Sequence, residues 1–282
     1  MKAQAARVLL TGASGGIGQA AATALLQAGA SVMLVGRSAA RLTTQAHDLL
    51  NRLKLPPDRI ASRDADLTQA SGLAALGEAA SQWGVNVLVH NAGLPSFGRL
   101  ETLSAHDIQQ VLNTNLLAPM LLTRALLPHL RRLPKAQVIC VGSALGRIGL
   151  PGYSVYSASK FGLRGFAEAL RRELGDTPIR VQYLGPRSTR TAFNTPDVEA
   201  YNQTTGATSD TPERVAAALL RMLEDEAAER FLGFPEKLAV RLNGLAPALL
   251  DGAFEKHRRS LPTATAVPSA PLTDDAPSRI KT

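Results

Sequence analysis

The sequence has a single cysteine among its 282 residues, and it lacks any apolar stretch of the ~18 residues that a membrane-spanning helix needs. Cys140 therefore has no disulfide partner in the chain and forms no metal-binding cluster, so within the apolar run 138–141 we expect a small buried hydrophobe. Residues 1–6 lead straight into an apolar run and a glycine-rich turn, without the pattern of a secretory signal. We expect a soluble, cytoplasmic protein that holds no metal.

Positively charged residues outnumber negatively charged ones, but they are not concentrated in one segment. The chain has 31 Lys and Arg against 23 Asp and Glu, which gives a formal net charge of +8. A nucleic-acid-binding protein would gather these cations on one face or one helix. Here they are scattered, and pairs such as Arg131-Arg132 and Arg171-Arg172 fit solvated helix faces. We therefore expect no nucleic-acid partner.

Short β-branched or aliphatic runs alternate with longer segments of helical periodicity. The predicted strands are 7–10, 31–35, 59–62, 86–89, 137–141, 179–184 and 230–233. The predicted helices are 16–28, 39–53, 69–83, 104–132, 155–175 and 211–226. This alternation predicts βαβ units, and hence an α/β, doubly wound parallel sheet with helices on both faces. We predict one domain over residues 1–257.

Three segments toward the carboxyl end have distinct compositions. The polar 193–210 predicts a mobile substrate loop. In 236–256, Leu238, Leu242, Leu245 and Leu249 recur at helical spacing, which predicts an amphipathic helix that Pro247 kinks. That helix could dock on the domain, or cover the substrate mouth, a partner subunit or a membrane surface. Residues 258–282 predict a disordered tail.

A glycine-rich turn joins the first predicted strand to the first predicted helix. Such a turn lets the backbone approach a pyrophosphate, whose charge the helix N-terminus favours. A glycine turn alone can equally be a tight turn that needs positive φ. Its position between strand and helix favours dinucleotide binding, and the candidate contacts are Gly12, Ser14, Gly15, Gly16, Ile17 and Gly18.

The end of the second predicted strand bears on the choice of cofactor. An acid there would accept a hydrogen bond from the adenosine 2′-hydroxyl and repel a 2′-phosphate. This chain has Gly36 followed by Arg37, which favours NADP(H) over NAD(H) unless Arg37 is only a solvated loop residue. Arg41 could assist, or could lie on an exposed helix face.

Tyr156 and Lys160 lie four residues apart and therefore share one face of a predicted helix. A phenol has a pKa of roughly 10, and a nearby ammonium would lower that value toward neutrality. This pair alone is common by chance. Ser143 adds weight, because its hydroxyl follows strand 137–141 directly, at the sheet edge where ligands of open α/β sheets bind.

Asn115 lies within the helical segment 104–132, four residues before Pro119. Since proline has no N–H, the helical hydrogen bond back to the Asn115 carbonyl cannot form. That carbonyl could then hold a water molecule, or the feature could be a plain proline kink.

Taken together, these residues resemble the short-chain dehydrogenase/reductase family. The resemblance covers residues 7–191 and rests on the TGxxxGxG turn, on Tyr156-x-x-x-Lys160 and on a serine thirteen residues before the tyrosine. Two further motifs match, Asp66-Leu67 and Asn91-Ala92-Gly93.

The resemblance implies a Rossmann-type fold with a seven-stranded parallel sheet. It implies that Tyr156 is the acid or base, that Ser143 orients the substrate oxygen and that Asn115 holds a relay water. By the same resemblance, Lys160 would bind the nicotinamide ribose and tune Tyr156. Asp66 would lie near the adenine, and Asn91 to Gly93 would support the cofactor-binding strand. Helices 104–132 and 155–175 would form a homodimer or homotetramer interface.

Two positions depart from the family pattern. His90 stands where the first Asn of Asn-Asn-Ala-Gly is usual, and we expect little consequence. In 185–191, Pro186 keeps its place, but Arg187 stands where glycine is usual, which leaves the local turn uncertain. Thr189 and Thr191 match the family's later positions, and the resemblance places Thr189 near the carboxamide and Thr191 near the carboxamide or the pyrophosphate.

The sequence therefore predicts an NADP(H)-dependent oxidoreductase that transfers a hydride between nicotinamide and a carbonyl or secondary alcohol. Mostly apolar candidate pocket residues suggest a hydrophobic ketone, aldehyde or acyl chain. Two alternatives stay open: a non-catalytic NADP(H)-binding sensor or scaffold, and a membrane-associated lipid-modifying reductase with peripheral contact through 236–256. The candidate pocket residues are Leu94, Leu145, Ile148, Leu150, Tyr153 and Phe193.

Overall fold

The computed structural model describes residues 1–233, 243–244 and 247–261. Its centre is a seven-stranded sheet in the order β3-β2-β1-β4-β5-β6-β7, and every neighbouring pair is parallel. The predicted doubly wound α/β fold is thereby confirmed. The strands are β1 (Arg7–Thr11), β2 (Ser31–Gly36), β3 (Ile60–Asp64), β4 (Val87–His90), β5 (Ala136–Val141), β6 (Ile179–Gly185) and β7 (Glu229–Phe231).

Helices cover both faces of the sheet. Residues of β1 alternate between two cores: Val8 and Leu10 belong to the cluster under α1 and α8, whereas Leu9 belongs to the cluster under α3, α5 and α6. Two apolar faces explain why the strands are nearly continuous apolar runs. The helices are α1 (Gly16–Gln27), α2 (Ala39–Leu53), α3 (Ala70–Trp83), α4 (Ala105–Leu112), α5 (Ala118–Leu130), α6 (Ser154–Glu173), α7 (Pro196–Thr205), α8 (Pro212–Asp225) and α9 (Glu255–Arg259).

The segment predicted as one helix over 104–132 is interrupted at its middle. A π-helical turn, Asn113–Leu117, separates α4 from α5, and the Ala118 N–H donates five residues back to the Asn113 carbonyl. Pro119 lies in the first turn of α5, where the missing N–H is tolerated. The widened turn places Asn115 fully buried, facing the carboxyl edge of the sheet.

The segment 193–210, predicted to be a mobile substrate loop, contains the helix α7 at its centre. The Thr195 hydroxyl accepts a hydrogen bond from the Val198 N–H, Pro196 occupies the first turn, and Gly206 ends the helix with φ +74°. These are ordinary start and stop signals of a helix, and the polar composition of the segment outweighed them in the prediction.

The carboxyl-terminal part is described only in pieces. A 3₁₀ helix, Pro247–Phe254, leads into α9, so the predicted helix over 236–256 is not continuous there. Leu238, Leu242 and Leu245 lie outside the described residues, as do residues 262–282 of the predicted tail. In the ranges that are described, no helix combines the length and apolarity that crossing a bilayer requires.

Candidate active site

A cavity of about 1060 Å³ lies along the carboxyl edge of the sheet. The strand order reverses between β1 and β4, and in open α/β sheets such a reversal opens a crevice for ligands. The cavity extends from the glycine turn before α1, past Tyr156, to α7 and α9. One continuous cavity thus contains both ends of the predicted site.

The glycine turn is packed so tightly that side chains would collide with backbone. Gly12 has φ +65°, and a Cβ on it would lie 2.8 Å from the Ala92 Cα. A Cβ on Gly18 would lie 2.1 Å from the Gly12 carbonyl oxygen. A Cβ on Gly16 would lie 2.5 Å from Cγ2 of Thr191. Bare backbone at the N-terminus of α1 therefore faces the cavity, which fits a pyrophosphate group.

Asn91 and Ala92 fasten this turn to the end of β4. The Asn91 side-chain amide donates to the carbonyls of Thr11 (3.1 Å) and Gly12 (3.2 Å). The Thr11 hydroxyl accepts from the N–H groups of Asn91 and Ala92, both at 3.0 Å. The motif 91–93 thus holds the phosphate turn through hydrogen bonds, and Gly93 continues toward Asn115 and Lys160.

Arg37 and Asp66 lie on neighbouring strand ends, and both line the cavity, as do Arg41 and Leu67. Arg37 is exposed. Hydrogen bonds from the Thr68 N–H (2.9 Å) and hydroxyl (2.7 Å), with a smaller contribution from the Arg37 charge, hold the pKa of Asp66 below its ordinary value. The cavity wall here carries two guanidinium groups, Arg37 and Arg41, and one ionised carboxylate.

Tyr156 and Ser143 both line the cavity, and Oγ of Ser143 accepts a hydrogen bond from the Leu145 N–H at 3.1 Å. Burial raises the pKa of the Tyr156 phenol above the ordinary value, and the Ser143 side chain opposes this rise only in part. The sequence predicts that Lys160 lowers this pKa, whereas burial gives the net shift the opposite direction. Lys160 Nζ lies 5.6 Å from the ring centroid of Tyr156 and donates to a backbone carbonyl.

Lys160 is almost fully buried, at 4% exposure. Its Nζ donates to the Val141 carbonyl at 3.3 Å. Burial lowers the pKa of Lys160 to about 8. The ammonium is therefore close to its titration point in weakly alkaline solution.

The Asn115 side chain is fully used in holding the segment after β4. Oδ1 accepts from the Leu94 N–H at 2.7 Å, and Nδ2 donates to the Leu94 carbonyl at 3.0 Å and to the Ser159 hydroxyl at 3.1 Å. Asn115 thus ties β4 to α6 beside Lys160.

Sequence reasoning missed Tyr183, which fixes the position of Ser143. The Tyr183 hydroxyl accepts from the Ser143 N–H and donates to the Ser143 carbonyl, each at 3.0 Å. A Cβ on Gly142 or on Gly146 would lie 2.1 Å from that hydroxyl oxygen, so both glycines make room for the ring. The two glycines around Ser143 were the one available signal.

The turn at Arg187 is explained by an ion pair. Arg187 Nη2 donates to Oδ1 of Asp210 at 2.9 Å, and the same oxygen accepts from Arg214 Nη1 at 2.9 Å. The Asp210 side chain is fully buried, and that of Arg187 is 9% exposed. Arg187 in place of glycine thus joins the turn after β6 to the start of α8.

The backbone around this ion pair orders the two threonines. Asp210 N–H donates to the Ser188 carbonyl at 2.8 Å, and Thr189 forms a β-bridge with Asp210. Pro186, in turn, accepts from the Ala144 N–H at 2.7 Å. Pro186, Thr189 and Thr191 all line the cavity, with Thr191 lying against the glycine turn.

His90 and Cys140 are buried beneath the site on adjacent strands. His90 Nε2 lies 2.7 Å from the Thr123 hydroxyl, and burial lowers the pKa of His90 to about 3, so the imidazole is neutral. Burial raises the pKa of Cys140 to about 12, which keeps the thiol protonated. Both are core residues that do not reach the cavity.

All six predicted pocket residues line the cavity. Among the lining residues that sequence reasoning missed, four carry rings and come from the segment after β4, from α7 and from the carboxyl-terminal segment. They are Phe97, Tyr201, Phe254 and His257.

Comparisons with known proteins agree with this geometry. The sequence model of the short chain dehydrogenase family matches residues 6–202. Dehydrogenase/reductase SDR family member 7B of Xenopus laevis is 31% identical over 87% of this chain and 80% of its own length. The ketoacyl reductase HetN of a Nostoc strain is 34% identical over 79% of this chain and 76% of its own.

Solved structures show the same likeness. A short-chain dehydrogenase from Streptomyces avermitilis superposes with a TM-score of 0.75 at 27% identity, covering 90% of this chain and 98% of its own. A short-chain dehydrogenase from Sphingobium yanoikuyae, solved in complex with NADPH, superposes with a TM-score of 0.75 at 25% identity, covering 89% and 96%.

Proposed function

The chain belongs to the short-chain dehydrogenase/reductase family of oxidoreductases, and on that premise we propose that it is an NADP(H)-dependent reductase of hydrophobic carbonyl compounds, or a dehydrogenase of the matching alcohols. The observation that carries the proposal is the presence of Tyr156, Ser143 and Lys160 in the same cavity as the glycine turn. A bound nicotinamide cofactor supplies or accepts the hydride at its C4 atom.

Tyr156 is the proposed proton donor in the direction of reduction. Because burial raises the pKa of its phenol, Tyr156 is protonated at neutral pH, which is the state that a donor needs. Ser143, held by Tyr183 through two backbone hydrogen bonds, presents its hydroxyl to the same substrate oxygen. The two hydroxyls polarise the carbonyl, and the Tyr156 proton goes to the alkoxide oxygen.

Lys160 and Asn115 serve the return of a proton to Tyr156. Lys160 lies beside the Tyr156 ring with a pKa of about 8, so its ammonium can lose and regain a proton near neutral pH. We propose that Lys160 also binds the nicotinamide ribose. Pro119 cannot donate to the Asn115 carbonyl, so we propose that a relay water binds there.

The preference for NADP(H) rests on Arg37. It follows Gly36 at the end of β2, lines the cavity and occupies the position where an acid would repel a 2′-phosphate. The glycine turn would hold the pyrophosphate, and Asp66 with Leu67 would lie at the adenine. The Sphingobium relative was solved with NADPH, which supports the same preference here.

We propose that α5 and α6 contribute to a homodimer or homotetramer. Phe161 on α6 is 42% exposed and Leu117, just before α5, is 46% exposed. Large apolar side chains on a helical face favour association with another copy. Light scattering of the purified protein measures the assembly.

The proposal is tested by NADPH oxidation against ketones, aldehydes and 3-oxoacyl thioesters, with NADH in parallel. In Tyr156→Phe, we expect kcat to fall by roughly 10²–10⁴-fold, because the proton donor is lost. NADPH affinity, followed by cofactor fluorescence, is expected to stay within about twofold, since the ring remains.

Unchanged turnover in Tyr156→Phe would show that this residue is not the donor. A wild-type protein that binds NADPH tightly but reduces none of the carbonyl compounds would favour the non-catalytic sensor. A clear preference for NADH would contradict the assignment of Arg37.

A further inference from the structure

Aromatic residues are few in this chain, yet they concentrate at one place. The sequence has one Trp, four Tyr and seven Phe. Half of these rings line the single cavity described above, although they come from five separate segments between residues 97 and 254. They are Phe97, Tyr153, Tyr156, Phe193, Tyr201 and Phe254.

Two of these rings stand on either side of the proton donor. The Tyr153 centroid lies 6.3 Å from that of Tyr156, and the Phe193 centroid lies 6.1 Å from it on another segment. Both pairs have interplanar angles of 63°, an edge-to-face arrangement. A carbonyl compound that meets the Tyr156 hydroxyl therefore has the Tyr153 and Phe193 rings close to its substituents.

Beyond Tyr153 the rings form a continuous surface, which we call the aromatic wall and define as Phe97, Tyr153 and Tyr201. The Phe97 centroid lies 4.9 Å from that of Tyr153 and 5.0 Å from that of Tyr201, and Tyr153 and Tyr201 are 5.8 Å apart. Each ring packs against both others, so the wall is stiff. Phe97 and Tyr153, which pack on the almost fully buried Tyr201, offer contacts to a flat apolar group.

The carboxyl-terminal segment contacts the aromatic wall at Tyr201 and restricts the position of that ring. The Tyr201 hydroxyl lies 2.7 Å from Nδ1 of His257 and donates to the Pro151 carbonyl at 3.2 Å. The His257 ring lies 5.5 Å from Tyr201 and 5.7 Å from Phe254. Both ends of Tyr201 are thus fixed, and its ring cannot swing away from the cavity.

The charged side chains that line the cavity indicate whether the aromatic wall suits a cation or a neutral ring. Aromatic rings bind cations as well as other rings, and cation sites are strengthened by nearby acids. Among the described residues that line the cavity, the acid is Asp66, which lies at the far end beside Arg37. The lining residues also include the cations Lys160 and Arg187. The wall is therefore not a cation site, and it suits an uncharged ring.

From these contacts we infer that the substrate carries an uncharged aryl group, which lies on the aromatic wall while its carbonyl or hydroxyl meets Tyr156 and Ser143. This inference rests on the proposed reductase function and narrows its substrate class from hydrophobic to aromatic. Contacts between aromatic rings exceed the effect of buried area alone, by a factor of about 2–12 in binding.

The test compares two ketones that differ only in the ring. The carbonyl of 4-phenyl-2-butanone is not conjugated with its ring, so 4-cyclohexyl-2-butanone has a carbonyl of equal reactivity and a bulkier, non-aromatic ring. We expect the wild-type protein to show about fivefold higher kcat/KM for the phenyl compound. Equal values, or a preference for the cyclohexyl compound, overturn the inference.

Single substitutions test whether the aromatic wall causes the preference for the phenyl compound. Phe97→Leu keeps an apolar side chain but removes a ring of the wall, and it is expected to lower the phenyl-to-cyclohexyl ratio at least twofold. Phe166→Leu is the matched control, because Phe166 packs against the core outside the cavity, and its ratio is expected to equal that of the wild type. A ratio that changes equally in both variants, or in neither, contradicts the role of the wall.

A binding measurement separates this inference from the proposed function. Calorimetry gives the affinity of each ketone for the protein saturated with NADP⁺, whether or not turnover occurs. Tighter binding of the phenyl compound without reduction of either ketone would refute the reductase and support the aromatic site. Reduction of both ketones with equal affinity and equal kcat/KM would support the reductase and refute the aromatic site.

Discussion

The two ends of the cavity have different surfaces, main chain at the cofactor end and side chains at the substrate end. At the cofactor end the surface is backbone: glycines 12, 16 and 18 leave no room for a Cβ, and the Asn91 amide donates to the carbonyls of Thr11 and Gly12. At the substrate end the surface is side chains, with rings contributed by segments far apart in the chain. The first end is a short continuous motif, whereas the second is assembled by tertiary structure.

This difference determines which residues of the cavity can be substituted without moving the main chain. A backbone surface binds a group common to all dinucleotides, and any added atom displaces the main chain. A side-chain surface can change one ring at a time without moving a strand. We therefore expect substitutions at the cofactor end to abolish binding, and substitutions at the substrate end to change selectivity.

The largest effect is expected from Gly18→Ala. The new Cβ would lie 2.1 Å from the Gly12 carbonyl oxygen and 2.8 Å from the Ala13 Cα, and both are backbone atoms that cannot rotate away. We expect the free energy of unfolding to fall by about 3 kcal/mol or more. NADPH binding should weaken at least tenfold, because the amides of the turn move. Urea unfolding and cofactor fluorescence measure the two effects.

Gly165→Ala is the matched control for the same substitution. A Cβ on Gly165 meets nothing within 4 Å, and the residue lies in α6. Alanine there should stabilise the protein by about 0.5–1 kcal/mol and leave NADPH binding unchanged. If Gly18→Ala bound NADPH as the wild type does, the rigid backbone surface would not be what the cofactor requires.

The same division explains how far the sequence predicts the molecule. The glycine turn, the Tyr156–Lys160 spacing and the strand alternation each lie within a few residues, so their patterns are visible without the fold. All seven strands and the sheet they form were predicted on that basis.

What was missed depends on contacts between distant residues. Tyr183 meets Ser143 across forty residues, and Arg187 meets Asp210 across twenty-three. The raised pKa of Tyr156 is another case, because it results from burial by several elements and not from the lysine one turn away. Helix α7 is different, since its capping signals were present in the sequence but were given too little weight.

A second prediction tests the ion pair that replaces the usual glycine turn. In Asp210→Asn, the buried carboxylate that accepts from Arg187 and Arg214 becomes a neutral amide. Breaking a buried ion pair from one side typically costs 3–5 kcal/mol, and we expect about 3 kcal/mol here because the asparagine oxygen still accepts a hydrogen bond. The KM for NADPH should also rise, since Thr189 bridges to Asp210.

Arg214→Ala removes the other partner of the same oxygen and serves as the control. The Arg214 side chain is 58% exposed, so its loss should cost at most about 1 kcal/mol. Equal losses of stability in the two variants would mean that the buried contact of Arg187 with Asp210 does not order this turn.

The smallest expected effect is on the free energy of unfolding at acid pH, and it comes from His90, which is buried beneath the cofactor end. Folding lowers the pKa of His90 from 6.5 to about 3 through burial. As the pH falls below about 6.5, the unfolded chain gains a proton that the folded protein does not take up until about pH 3. Stability therefore decreases toward acid, and this residue should contribute a loss of about 2 kcal/mol at pH 5 relative to pH 8.

His90→Asn, which restores the residue usual in the family, should remove that contribution. The variant loses the 2.7 Å contact with Thr123 in its present form and can be less stable than the wild type at pH 8. The test is the change between pH 8 and pH 5 in urea unfolding, which should be about 2 kcal/mol smaller in the variant. His106→Asn, at an exposed position on α4, should retain the wild-type change. An identical pH dependence in wild type and His90→Asn would mean that the folded protein can hold a protonated imidazole at position 90. The packing around His90 would then be looser than that of the glycine turn.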